Sequence, residues 1–455
     1  MPVRRSYIAR LSSSPNALMW MVLLLALLGQ IPLLLNPGYF SHDELQWAAA
    51  ADVAAGAPLP WFPWTAVDAY QYRPLTFNLW LWLSHRLFDD PQAFHAVCVL
   101  WGSVNAMLLA VLGRRLGVAP LPAAAAALVF ALGPFAALVH GWVGTLGDLI
   151  WSSCALGIGL LATARVRTGW VVAGTVVLTA SALLAKEAAM AIPAMLAVAW
   201  WFDRRRRVWR FAMVSSAVVA AVYLLLRLEA LLQPVAQGPQ YALSLAHPPL
   251  RWLEYQLFAP LLHVPETFAT FPQGGRIGLA IAALLWLGGL FALSRGGWRL
   301  LALALVGGIA ALLPVLPLGA SWNHYGYAWA AWTAMCFAAG WPAMPRSSRA
   351  LVVLTALLAL AHGAMVMRLI HRVGTIQSVF SPALAAAVAA APAHPVRLRV
   401  APDAGAWIFQ RLTHEIPRYR GVPIGARVVL VAADASVDAS ADYRVEADGR
   451  LVPLR

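Results

Sequence analysis

The chain has 455 residues, 61% of them hydrophobic and only 11% charged, where a soluble protein carries about a quarter. Its net charge of +14 is carried by arginines in short connections between apolar runs, so it reads as a membrane-topology signal and not as a nucleic-acid footprint. The three cysteines, Cys98, Cys154 and Cys336, fall inside apolar runs and offer neither a disulfide framework nor a metal spacing.

Apolar stretches near the length a bilayer demands recur at 17–35, 93–112, 120–139, 145–164, 169–185, 186–202, 211–229, 277–295, 299–319, 326–342 and 349–367. The expected fold is therefore an all-α polytopic membrane protein of about eleven transmembrane helices. Arginine clusters occur at Arg4, Arg5 and Arg10, at Arg114 and Arg115, at Arg165 and Arg167, and at Arg204 to Arg207. They recur at Arg295 and Arg299 and at Arg346 and Arg349, alternating with connections poor in arginine. Of the 19 acidic residues only Asp203 falls on the arginine-rich side. This pattern predicts a cytoplasmic N terminus. With an odd number of spans the C terminus lies on the opposite, outer face. The arginine bias and alanine-rich runs suit a GC-rich bacterial genome, and the expected location is the bacterial inner membrane with a periplasmic outer face.

The first outer connection, 36–91, is too patterned for a linker. Ser41 reads as the N-cap of a short helix to Ala55, with Asp43 and Glu44 in its first turn. Trp61, Phe62 and Trp64 suit an interface, and Leu75 to Phe88 is apolar but too short to span, which predicts an interfacial or re-entrant helix. A second outer connection, 231–276, holds His247, Arg251, Glu254, Tyr255, His263 and Glu266 around a surface helix at about Leu250 to Leu262. A third carries Trp322, Asn323, His324, Tyr325 and Tyr327. These make residues 1–370 one transmembrane unit. Residues 375–455 read as a small periplasmic α/β domain. It begins with an alanine-rich stretch to Ala391, followed by a strand at Val396–Val400 and a helix at Ala404–Leu412. Further strands are expected at Arg427–Ala432 and Tyr443–Val452.

Adjacent carboxylates at a membrane edge point to chemistry there. Asp43 is the candidate general base. Glu44 is its neighbour, orienting an acceptor or sharing a proton. The plainer reading is two acids favoured by a helix N-terminus. Lys186 is the only lysine among 33 basic residues and lies at the outer end of a tight hairpin. It is a candidate phosphate contact held by Glu187, or else a structural lysine that snorkels to the interface. Arg227 and Arg73 are further phosphate candidates, against headgroup anchoring and loop packing. Asp148 is a candidate sugar ligand, against a helix-start role. No cofactor is expected to be required. His42, His140, His247, His263 and His324 fall on the outer side with Asp43 and Glu44. No pair among them has a recognisable ligand spacing, so the leading expectation is no metal, with a divalent ion the minor alternative.

Several motifs together resemble one family. Gly38-Tyr-Phe-Ser-His-Asp-Glu44 is similar to the first-loop acidic motif of GT-C membrane glycosyltransferases, which include protein O-mannosyltransferases, the bacterial aminoarabinose transferase and the TMTC-type group. Tyr72-Arg73-Pro74-Leu75 with Phe94-His95, Gly141 to Asp148, Ala185-Lys186-Glu187 with Pro193, Leu226-Arg227-Leu228 and Asn323-His324-Tyr325 resemble, in order, motifs of the TMTC-like branch. The match covers about 17–345. Leu146 stands where that branch usually has arginine, Ala185 where it has serine, and no tetratricopeptide repeats follow. The resemblance implies an inverting transferase that moves a hexose or pentose from a polyprenyl-phosphate donor to a protein, lipid or polysaccharide acceptor on the periplasmic side. On that reading Asp43 and Glu44 are catalytic. Lys186, Arg227 and Arg73 hold the donor phosphate. Asp148, Glu187, His324 and Tyr325 contact sugar or acceptor. A polymerase or ligase using polyprenyl diphosphate, and a lipid or glycan flippase, are the alternatives. The flippase would require an internal repeat and midplane polar residues in broken helices, which the sequence lacks.

Overall fold

A computed structural model describes residues 15–232, 241–257, 275–431 and 441–454. The chain is a helical bundle built from α1 (Pro15–Gly29), α2 (Ile31–Leu34), α3 (His42–Ala51), α4 (Pro74–Leu87), α5 (Pro91–Arg115), α6 (Pro120–Leu132), α7 (Pro134–Gly141), α8 (Leu146–Thr163), α9 (Thr168–Ala185) and α10 (Ala191–Phe202). It continues with α11 (Arg207–Leu232), α12 (Pro248–Gln256), α13 (Gly275–Ser294), α14 (Trp298–Leu312), α15 (Tyr327–Gly340) and α16 (Arg346–Ala390).

Each expected apolar stretch coincides with helix, but the count of eleven spans is not reached on length. Among the described residues six helices are long and apolar enough to cross a bilayer, or seven if the bent pair α6 and α7 is one span. Three shorter apolar helices, Ala17–Gly29, Glu187–Phe202 and Trp298–Leu312, fall below that length. The shortfall has local causes. Pro134 removes a helical donor and the α6–α7 axis bends by 56° at Gly133. At the α9–α10 hairpin Lys186 is extended (φ −163°, ψ 138°) and is followed by a 3₁₀ turn, Glu187–Met190. The chain is a multi-pass membrane protein by these helices.

The first connection holds the two expected helices, α3, which ends at Ala51 and not at Ala55, and α4. The expected surface helix in 231–276 is seen as α12, and its continuation to Leu262, with His263 and Glu266, lies outside the described residues. Helix α16 departs from expectation. It runs unbroken for 45 residues, roughly 67 Å at 1.5 Å per residue. It therefore passes through 371–374, between the two units expected from sequence, and absorbs the alanine-rich stretch. No proline or capping residue interrupts it there, and Gly374 is a point of close approach: a side chain on it would meet Asn36 Oδ1 at 1.9 Å. Tyr39 N donates to Gln377 Oε1 (2.9 Å), so the first connection starts out pinned to α16.

Beyond α16 come β1 (Val396–Val400), α17 (Ala406–Thr413), β2 (Arg418–Tyr419), β3 (Val422–Pro423), β4 (Val428–Val431), β5 (Tyr443–Val445) and β6 (Leu451–Pro453). The main sheet has the order β4-β1-β5-β6, with β1 parallel to β4 and β5, and β6 antiparallel to β5. The single strand expected over Tyr443–Val452 is two strands, because Asp448-Gly449 turns the chain with Gly449 at φ 91°. Strands β2 and β3 form a hairpin across Arg420 and Gly421, both at positive φ (45° and 78°), the pattern of a two-residue primed turn.

Candidate active site

Helix α3 builds the acid corner. Ser41 caps it in a full capping box, its hydroxyl accepting from Asp43 N while the Glu44 side chain accepts from Ser41 N. The two acids then part company. Asp43 keeps about a third of its side chain exposed (32%), with His42 Nε2 at 3.3 Å and Ser41 Oγ donating to its Oδ2 at 3.2 Å. Glu44 is turned inward and is 1% exposed. Its Oε2 accepts from Phe40 N (2.7 Å) and Ser41 N (2.8 Å), and its Oε1 from Val143 N (3.0 Å). Both oxygens of Glu44 therefore serve the backbone, and it ties α3 to the segment before α8. This corrects the expectation that it orients an acceptor: there is no open face from which to do so. Burial pushes its pKa up to about 7, against the three backbone bonds that lower it. Burial lowers the His42 pKa, opposed by Asp43 and reinforced by Arg411.

The expected cations are present at the same end of the bundle, but not unpaired. Lys186 Nζ bonds Asp148 Oδ2 at 2.5 Å, with both side chains almost wholly buried, and lies 5.1 Å over the Tyr325 ring. Arg73 Nε bonds Glu187 Oε2 at 2.7 Å. The sequence reading had Glu187 holding Lys186. The structure pairs Lys186 with Asp148 instead, because the extended backbone at Lys186 sends its side chain across to α8 while Glu187, one residue on, faces Arg73. Thr76 Oγ1 donates to Ala185 O (2.8 Å) and locks the start of α4 to this hairpin. Arg227 is 1% exposed. It donates to the carbonyls of Val67 (2.5 Å), Ala69 and Tyr70 (2.7 Å) and lies beside the Tyr72 ring. Its guanidinium clamps the first connection and is not turned to an open surface.

A row of rings links the acid corner to the cations. Phe40 packs edge-on against Trp142 (6.3 Å), Trp142 against His324 (5.5 Å), and His324 against Tyr325 (4.3 Å), which covers Lys186. Burial lowers the His324 pKa, as do the nearby Lys186 and Arg73 charges. Tyr241, in the connection after α11, has its hydroxyl pKa raised by burial and by Asp43 and Glu187, and lowered by Arg73, so it lies within electrostatic reach of both groups.

Sequence reasoning missed Tyr241, Trp142 as the bridge between the two groups, and two residues of α17 and its end. Arg411 NH2 donates to Ser41 Oγ at 3.0 Å, with its guanidinium 4.7 Å from the Phe40 ring and 5.5 Å from that of Trp142. The His414 ring lies 5.0 Å from that of His42. Nothing in the local sequence around Arg411 marks it, since only the fold brings residue 411 to residue 41. Among the described residues no three His, Cys, Asp or Glu side chains converge as metal ligands. His140, expected on the outer side, is buried between Gln30 Oε1 (2.6 Å) and the Tyr327 hydroxyl (3.0 Å). His247 bonds Pro317 O (3.0 Å).

No family model matches the chain, and no curated protein matches it. Among solved structures, it is similar to the archaeal oligosaccharyltransferase AglB from Archaeoglobus fulgidus, determined with an inhibitory peptide and a dolichol-phosphate. The TM-score is 0.49 at 14% identity, over 90% of this chain and 64% of that one. The chain thus spans less than two thirds of that protein's length, and a likeness of this degree carries no inference about activity.

Proposed function

We propose that this protein is an inverting glycosyltransferase, moving a hexose or pentose from a polyprenyl-phosphate donor to a protein, lipid or polysaccharide acceptor at the periplasmic face of a bacterial inner membrane. The observation that carries the reading is the contrast within one helix turn: Asp43 is open and held by Ser41, while its neighbour Glu44 is closed off. An acceptor hydroxyl is a poor nucleophile until a base takes its proton. Asp43 takes that proton, the acceptor oxygen bonds the anomeric carbon, and the bond from that carbon to the phosphate oxygen breaks, releasing polyprenyl phosphate. One displacement with one base inverts the centre. Glu44 acts as the anchor that sets the angle of α3.

Lys186 and Arg73 line the donor end, where positive charge stabilises a departing phosphate. Each is held by a carboxylate partner, so neither is an isolated buried charge, and a donor phosphate would share or displace that partner. The donor's chain needs an apolar path. A cavity of about 620 Å³ among α6, α13, α14, α15 and α16 supplies one. Its wall includes Phe135, which abuts Gly326, the residue after Tyr325.

The test is the full-length protein in liposomes with labelled short-chain polyprenyl-phosphate hexoses and pentoses. One donor is consumed, and its product has the opposite anomeric configuration. Retention of configuration would sink the mechanism, as would a folded protein that consumes none of them. Reporter fusions after Arg207 and after Val400 report opposite sides of the membrane; the same side for both would sink the topology.

A further inference from the structure

The domain after α16 does not hang free of the bundle; it is docked along α3. Gln46 Nε2 donates to the carbonyls of His414 (3.3 Å) and Glu415 (3.2 Å), Arg418 Nε to Ala49 O (2.9 Å), and Gly421 N to Asp52 Oδ2 (2.8 Å). These bonds hold the helix from its second turn to its C-cap. At the opposite end of the helix the contact has a different character. Arg411 lies against two aromatic rings and donates to the Ser41 hydroxyl.

Ser41 is wholly buried, and its hydroxyl has one proton to donate and two lone pairs to accept with. It accepts from Arg411 NH2 (3.0 Å) and from Asp43 N (3.4 Å). With both acceptor positions engaged, the remaining proton faces Asp43 Oδ2, 3.2 Å away, with His42 Nδ1 the more distant acceptor at 3.5 Å. A charged donor makes the stronger bond and orients the hydroxyl more firmly than the cap alone. The rings of Phe40 and Trp142 in turn hold the guanidinium in place.

We propose that Arg411 is a positioning residue: through it the C-terminal domain fixes the Ser41 hydroxyl, and Ser41 in turn fixes the Asp43 carboxylate. The proposal rests on the reading of Asp43 as base. Among the described residues the acid corner draws on three elements. His42 and Glu44 come from the same helix as Asp43, Tyr241 comes from the connection after α11, and Arg411, His414 and Glu415 of the C-terminal domain lie within electrostatic reach of His42. The domain thus contributes charged groups to the acid corner.

The test needs no donor. Full-length protein is labelled at fixed pH with a water-soluble carbodiimide and an amine, and the rate at Asp43 is read by mass spectrometry against that at exposed Asp89. Arg411→Ala raises the Asp43 rate about fivefold, Ser41→Ala does the same, and the double variant adds little, the mark of two residues acting in series. Arg411→Lys restores most of the slow rate. Unchanged labelling in a folded Arg411→Ala protein overturns the proposal, as do additive effects of the two changes. Should Arg411→Ala fail to fold, Arg411→Gln and Ser41→Ala decide it by the same comparison. With an active donor, Arg411→Ala lowers kcat and leaves the donor KM within about twofold. If Asp43→Asn left transfer intact, the function above would fall, while the labelling would still decide whether Arg411 governs Asp43.

Discussion

The acid corner and the cation cluster are built in opposite ways. The corner is local: Ser41 to Glu44 cap one helix, and the Asp43 carboxylate remains open to water. The cluster is global: Arg73, Asp148 and the adjacent Lys186 and Glu187 come from three segments and meet as two closed ion pairs, one of them almost wholly buried. A charge that is to take a proton must be reachable. A charge held near hydrocarbon must be matched, because an unmatched one costs several kcal/mol. The difference teaches that exposure and pairing trade off: Asp43 stays open, while the charges of the cluster are matched among themselves. The same division runs between Asp43 and Glu44, one residue apart.

The sharpest way to break this comparison is Asp43→Asn. It keeps shape and insertion but removes the base, so kcat should fall about 100-fold or more, with the melting temperature unchanged. Near-normal turnover would show that the open carboxylate is not the reactive one.

Lys186→Met attacks the cluster instead. It strands Asp148 in a buried site, so stability should drop by about 3–5 kcal/mol, measured by thermal unfolding in detergent. The pair Lys186→Met with Asp148→Asn should recover most of that loss, whereas Lys186→Met with Glu187→Gln should not. Recovery by the Glu187 change would contradict the pairing.

Glu44 tests whether a corner residue can behave like the cluster. Its folded pKa, about 7, is raised above that of a free glutamate, so between these values the unfolded chain binds fewer protons. Stability is then highest below the ordinary glutamate range and is lost as pH rises through 7. Melting temperature should decline from pH 5 to pH 8, and Glu44→Gln should flatten that decline. A decline of equal size in the variant would assign it to other groups.

The smallest effect belongs to the docking surface. Arg420 NH2 pairs with Asp89 Oδ1 at 2.8 Å, but both side chains are more than half exposed (57% and 81%). Arg420→Ala should cost less than about 0.5 kcal/mol. A larger loss would mean that the domain is held to α3 by its rim and not by the backbone contacts beneath it.

Much of the helical layout was legible in the chain by itself, since apolar runs of bilayer length and their positions depend only on local composition. The capped helix at Ser41, the short amphipathic helices of the first connection and most strands after α16 were legible for the same reason: capping, periodicity and turn residues act over a few positions. The breaks within the apolar runs were not, because bends at Gly133 and Lys186 depend on what the breaks pack against. Nor were the partners of the charges. The sequence marked Lys186, Asp148, Glu187, Arg73 and Arg227 as unusual, but adjacency suggested Lys186 with Glu187, whereas the fold chose Asp148 and turned Arg227 onto three carbonyls. Arg411 was invisible altogether. A bond between residues 41 and 411 is created only when a 45-residue helix carries the last domain back over the first connection, and no local pattern encodes a contact across that distance.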